Sequence, residues 1–281
     1  MDNKVITRLS LVFVTIIWGV TFVLVKDALN DAPPFYFATM RFGVATILCI
    51  ILLRKKLFTC TKIELIGGAI CGIFLFSGYA FQNFGLMNTT ASKSAFITSV
   101  SVLIVPILLV LFKLQKVNKK IWASVILATI GLYLLVLPSG GLNFGDILTS
   151  GCALSFAIHI IYQDLYIKKD IRIIPFLFIQ SMFVTIISFF NAQIFEPQGV
   201  IWSNDVFIAI FITGVFATFI ALLLMISAQK ILTPSETAII FSAEPLFAAL
   251  FATIFAGEVL GIWGWIGGGL ICLAVAYGES G

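Results

Sequence analysis

Long, continuously apolar runs separated by short charged or turn-forming segments make up almost the whole chain. A helix that crosses a ~30 Å hydrocarbon core needs ~20 mainly apolar residues. Dividing the runs at charge clusters and Gly/Pro breaks predicts about ten such helices. They are Leu9–Val25, Pro34–Leu53, Leu65–Leu86, Ala91–Phe112, Ile121–Leu137, Ile147–Asp164, Ile174–Phe195, Val206–Ala228, Pro234–Ala256 and Leu260–Tyr277. The runs do not alternate between apolar and polar positions, so transmembrane strands are a poor alternative. The expected fold is an all-α integral membrane protein.

The second half of the chain repeats the first. Thr90-Ala91-Ser92-Lys93-Ser94-Ala95-Phe96-Ile97-Thr98-Ser99 returns as Thr233-Pro234-Ser235-Glu236-Thr237-Ala238-Ile239-Ile240-Phe241-Ser242. Carried on without a gap, the same register sets Phe112 on Phe255 and Trp122 on Trp265. The expected division is residues 1–137 and 138–281, with the turn Pro138-Ser139-Gly140-Gly141 at the junction. Each half then holds an odd number of spans, about five, so the second half enters the membrane upside down relative to the first. Duplicated halves of this kind suit a transporter that rocks around a shared central site. Lys93 and Glu236 fall on matching positions at opposite faces, too far apart to pair with each other.

Composition sharpens this picture. With 60% hydrophobic and 11% charged residues, the chain is no ordinary soluble domain. The net charge of +4 is explained by where the cations lie. Lys4, Arg8, Arg54, Lys55, Lys56, Lys62, Lys113, Lys116, Lys119, Lys120, Lys168, Lys169, Arg172 and Lys230 all fall on one side, and only Lys26, Arg41 and Lys93 fall elsewhere. The positive-inside rule places both termini in the cytoplasm, and the expected location is the inner (plasma) membrane. The first apolar run lacks cleavage-site chemistry and reads as the first span. Nucleic acid is not an expected partner, because no basic stripe interleaves with aromatics on a polar surface. The five cysteines form neither a CxxC nor a Cys/His ligand spacing, so no metal or cofactor is implied. A phosphate-binding Gly-x-x-x-x-Gly-Lys-[Ser/Thr] loop is missing, which excludes ATP as the direct energy source.

Several motifs resemble the drug/metabolite transporter superfamily, specifically its EamA-type ten-helix exporters. Trp18-Gly19 lies midway in the first span, and Arg41 follows Pro33-Pro34 in the second. Gln82-Asn83-Phe84-Gly85-Leu86 leads into Met87-Asn88-Thr89-Thr90. Ser242-Ala243-Glu244-Pro245-Leu246-Phe247 precedes Gly257-Glu258 and Trp265-Ile266-Gly267-Gly268. The first half departs from this pattern: Leu114-Gln115 stands opposite Gly257-Glu258, and Pro106 lies four residues beyond Val102, the partner of Pro245. The resemblance covers nearly the whole chain. It implies alternating access through a central cavity and export of small organic metabolites such as amino acids. Rival readings are a lipid-modifying membrane enzyme and a lipid flippase. The enzyme would need clustered acids, or a base beside a nucleophile, and the sequence shows neither.

A few polar residues inside the spans are candidates for function. Glu244 sits about ten residues into its helix, and a carboxylate that deep must find a cation, water or a proton. It either binds a substrate amine or couples a proton, or else caps backbone freed by Pro245. Arg41 attracts a substrate carboxylate, or it snorkels to the interface or pairs with an acid. His159, the only histidine, either lines the cavity and exchanges a proton or bonds a neighbouring helix. Trp18 and Phe22 share one helical face, and Tyr79 and Gln82 offer polar contacts from another helix. The competing view is that such aromatics only pack. Gly68/Gly72, Gly257/Gly261 and Gly264/Gly268 form small-residue faces for close helix approach, and the last helix is a candidate homodimer contact.

Overall fold

The computed structural model describes residues 3–54, 59–136, 143–255, 257, 259 and 261–279. These residues are helical, with no strand among them. The helices are α1 (Asn3–Ala28), α2 (Pro34–Leu53), α3 (Lys62–Leu86), α4 (Ala91–Leu111), α5 (Lys119–Val136), α6 (Phe144–Ile167), α7 (Ile173–Phe195), α8 (Asn204–Ala228), α9 (Pro234–Phe255) and α10 (Ile262–Gly278). Eight of them, all but α5 and α10, are long and apolar enough to cross a membrane. Lys55, Lys56, the Pro138–Gly141 turn and Glu258 lie outside the described residues.

Helix starts follow from local chemistry. Thr61 and Glu64 form a capping box at α3, and Asn143 and Asp146 form another at α6. The repeated threonines found in the sequence are equivalent caps. Thr90 accepts from the Lys93 N–H at the start of α4, and Thr233 accepts from the Glu236 N–H at the start of α9. Each satisfies a donor left without an intrahelical partner in the first turn. Glu196, just past α7, accepts the Phe35 and Tyr36 N–H groups at 2.9 Å each and so caps α2 from a distant helix. Burial pushes its carboxyl above the ordinary value, against the two backbone donors, which favour the charged form.

Packing between the halves is symmetric. Exchanging each helix of the first half with its counterpart five places on turns α3–α6 into α8–α1, α1–α9 into α6–α4, and α3–α7 into α8–α2; all six pairs are packed together. The pairs α2–α7 and α5–α10 map onto themselves and also pack. Glycine makes the closest approaches possible. A Cβ added at Gly19 falls 2.6 Å from Phe247 Cβ and 2.9 Å from the Ala248 backbone nitrogen. At Gly131 of α5 a Cβ meets the Gly267 oxygen of α10 at 2.7 Å, a close approach within the same chain. Gly68 and Gly72 receive Ile179 and Phe183 of α7 in the same way.

Three spans expected as continuous helices are interrupted. Helix α4 breaks between Ala91–Ser99 and Ser101–Leu111, and α9 breaks between Pro234–Phe241 and Glu244–Phe255. In the repeat register Ser101 stands on Glu244, so the two breaks are equivalent. In α9 the cause is Pro245, which has no N–H and restarts the helix at a position where none is required. Helix α8 widens into a π-helix over Ile212–Ile220.

Candidate functional site, a cavity between the halves

The breaks in α4 and α9 meet around one cavity, which Leu222 and Met225 of α8 also line just past the π-turn. Trp18 and Phe22 of α1, Arg41 of α2, Tyr79 and Gln82 of α3, His159 of α6 and Glu244 of α9 all line it. The seven polar and aromatic side chains singled out from sequence are therefore neighbours around a common space.

The aromatic part is closely packed. The Trp18 ring lies 4.9 Å from that of Phe241, and Tyr79 makes edge contacts with Phe42 at 5.0 Å and Phe156 at 5.3 Å. Trp18 Nε1 donates to the Ala217 oxygen at 2.8 Å. Ala217 belongs to the π-turn, whose wider ring shifts carbonyls out of the ordinary i→i−4 ladder.

Arg41 does not snorkel. It is 3% exposed and is fixed by polar groups without an acid: Nε donates to Thr218 Oγ1 at 2.7 Å and Nη2 to Tyr79 Oη at 3.0 Å. Its guanidinium carbon stands 4.3 Å from the centre of the Tyr79 ring, an arrangement that favours the cation. Glu244 opens the second segment of α9 and is 7% exposed. Its carboxylate makes no hydrogen bond or ion pair with the described residues, so it caps no backbone. The Gln82 amide, on the same cavity wall, likewise has no protein partner among them. An arginine and a carboxyl group that do not bridge, with one uncommitted amide, thus face the same space.

His159 is engaged more deeply than its position in the sequence indicates. Its Nε2 meets Gln180 Oε1 at 2.8 Å. Gln180 donates to Gln163 Oε1 at 3.4 Å, Gln163 to Gln229 Oε1 at 2.6 Å, and Gln229 to the Ile160 oxygen at 3.1 Å. This buried chain ties α6, α7 and the end of α8 together beside the cavity. Sequence reasoning missed Gln163, Gln180 and Gln229, although an amide in an apolar run must find a partner. It also missed Ser99 and Ser101, which line the cavity at the α4 break. The repeat register, which sets Ser101 on Glu244, was the signal for them. Asp164 is paired with Lys168 at 2.6 Å one turn away.

Known proteins agree with this architecture. A protein of known crystal structure matches with a TM-score of 0.77 at 14% identity, covering 95% of this chain and 94% of that one, which speaks to the fold alone. A protein of Archaeoglobus fulgidus named "Uncharacterized transporter" is 36% identical over 273 residues, 97% of this chain and 85% of its own length. The "Uncharacterized transporter YoaV" of Bacillus subtilis is 24% identical over 280 residues, covering 95% of this chain and 94% of its own. The sequence profile of the EamA-like transporter family matches twice, over residues 6–137 and again over 143–277, so that nearly every helix around the cavity is accounted for and this multi-pass membrane protein belongs to the EamA-like transporter family.

Proposed function

We propose that the chain is a secondary active transporter that exports small zwitterionic metabolites, amino acids being the type case, by alternating access. Ten spans, arranged as two inverted five-helix halves with both termini in the cytoplasm of an inner-membrane protein, form the framework of this reading. The odd number of helices per half and the symmetric helix pairing support it. The direction of transport is taken from the family resemblance. Chemical reaction of the solute is not part of the reading.

The observation that carries the substrate class is the unbridged pair of Arg41 and Glu244 in one cavity. Two opposite charges held close together inside a membrane ordinarily neutralise each other, because each is costly alone. Here Arg41 donates from Nε and Nη2 to Thr218, Tyr79 and Ala217 while Nη1 has no partner among the described residues, and Glu244 is left facing the cavity. A solute with a carboxylate at one end and an ammonium at the other would complete both, with Gln82 as a third polar contact. The wall of Trp18, Phe22 and Phe156 would accommodate an apolar side chain.

The test is counterflow in sealed vesicles carrying the full chain. Vesicles loaded with an unlabelled amino acid should take up labelled amino acids saturably. Analogues lacking either the amine or the carboxylate should compete at least about tenfold less well, the worth of one charged contact. Equal competition by the zwitterion and by both analogues would reject the assignment.

A further inference from the structure

The repeat brings together two ion pairs that no functional reading of the cavity uses. Lys93, in the first turn of α4, meets Asp146, in the first turn of α6, with Nζ 2.6 Å from Oδ2. Glu236, in the first turn of α9, meets Lys4, in the first turn of α1, at 3.3 Å. Lys93 stands on Glu236 in the repeat register, and Asp146 stands on Asn3, one residue from Lys4. The two bridges are therefore the same contact made twice, with the signs reversed, each joining one half of the chain to the other. They lie at opposite ends of the bundle. Lys26, at the far end of α1 from Lys4, donates to the Thr89 oxygen at 2.7 Å, and Thr89 Oγ1 donates to Asp146 Oδ1 at 2.8 Å. Twenty-two residues of helix, ~33 Å at 1.5 Å per residue, separate Lys4 from Lys26.

The two ends are not in the same condition. Lys93 and Asp146 are 6% and 1% exposed and are backed by Thr89 and Lys26. Lys4 and Glu236 are 37% and 15% exposed and border a second cavity shared with Asn118 and Lys120 at the start of α5. One end is buried, and the other is partly exposed.

We propose that Lys93–Asp146 and Lys4–Glu236 are a pair of equivalent, sign-reversed latches, one at each mouth of the central cavity, whose alternate opening defines the two access states. The proposal rests on the alternating-access reading above. It needs no substrate, because the α4–α6 and α9–α1 seams are equivalent inter-half contacts, and one of them parts in each access state. Reversing the sign keeps each latch from being satisfied by its counterpart's equivalent partner and fixes which first turns meet.

Hydrogen exchange on the full-length protein in lipid nanodiscs, without solute, tests this. Lys93→Met should speed exchange at the starts of α4 and α6 by about tenfold or more. It should also slow exchange at the starts of α1 and α9, as the population shifts toward closure there. Glu236→Gln, which keeps the α9 cap, should do the reverse, and Lys93→Arg should behave as the parent. General destabilisation would speed exchange at both ends, so a same-direction response, or no response, in Lys93→Met and Glu236→Gln overturns the latches. Reciprocal exchange without amino-acid counterflow would retain the latches and reject the substrate assignment. Counterflow without reciprocity would do the opposite.

Discussion

The indole nitrogen of Trp18 and the backbone oxygen of Ala217 are hydrogen-bonded at 2.8 Å, joining the first helix of one half to the π-turn of the other. The same oxygen lies 3.4 Å from Arg41 Nη2. One carbonyl of the π-turn therefore contacts both the aromatic wall and the cation of the cavity. Trp18→Phe keeps the ring contact with Phe241 and removes the donor. It should lower stability by only about 0.6–1.7 kcal/mol, as for other hydrogen bonds between membrane helices. Thermal unfolding in detergent measures the first effect. Because Ala217 then holds Arg41 alone, the solute KM should rise while the maximal rate changes less, and counterflow kinetics report that split.

Glu244→Gln separates the two ends of the solute. The amide keeps shape and removes the charge facing the cavity. Affinity for an amino acid should fall about 10- to 100-fold, the range expected for losing a charge-assisted contact. Affinity for the corresponding deaminated acid should stay the same or improve. Competition counterflow with the two solutes gives the ratio directly, and equal losses for both would mean that Glu244 acts on the fold rather than on the amine.

Arg41→Gln should have the opposite selectivity, weakening the deaminated acid and the amino acid alike while sparing the amine analogue. Arg41 is also a structural tie through Thr218 and Tyr79, so stability should fall as well. The selectivity pattern, read relative to Glu244→Gln, distinguishes recognition from unfolding.

The residues show which parts of this arrangement were readable in the chain. Spans such as Pro34–Leu53 come straight from apolar length and a Pro at the helix start, and α2 has those bounds. Thr90 and Thr233 were visible as a repeat, and their role as matching caps follows from threonine chemistry. The breaks at Val100 and at Ser242–Ala243, and the π-turn at Ile212–Ile220, were not readable as such, because hydropathy is blind to where the backbone ladder shifts. Pro245 marked one of them; Val100 carries no comparable sign. The Gln163–Gln180–Gln229 chain was missed for a different reason. Each amide is innocuous alone, and only the packing of α6 against α7 and the end of α8 makes them mutual partners.

Gly19→Ala tests why Trp18 is followed by glycine. The new methyl would stand 2.9 Å from the Ala248 nitrogen, a backbone atom that cannot swing away. Helices α1 and α9 would have to separate, at about 1–3 kcal/mol as for other overpacked sites. Since these helices form one of the proposed latches, the variant should also loosen the Lys4–Glu236 end. Thermal unfolding and exchange at the start of α9 would register both effects.

Glu196 provides a pH dependence that is independent of transport. Burial raises its carboxyl above the ordinary value of 4.5, outweighing the Phe35 and Tyr36 N–H donors. A raised value in the folded state means that the native protein binds this proton more firmly than the unfolded chain does. The slope of unfolding free energy with pH is then negative. The favourable contribution is complete below 4.5 and is lost as pH rises from 4.5 through the raised value. Glu196→Gln has no proton to lose and still accepts a backbone N–H at the start of α2. Its unfolding temperature should therefore fall less than the parent's across the same interval, so the two curves converge at the acidic end and separate toward neutrality with the variant higher. Curves that separate in the opposite sense, with the parent gaining on the variant as pH rises, would show instead that the two backbone donors, not burial, govern this carboxyl.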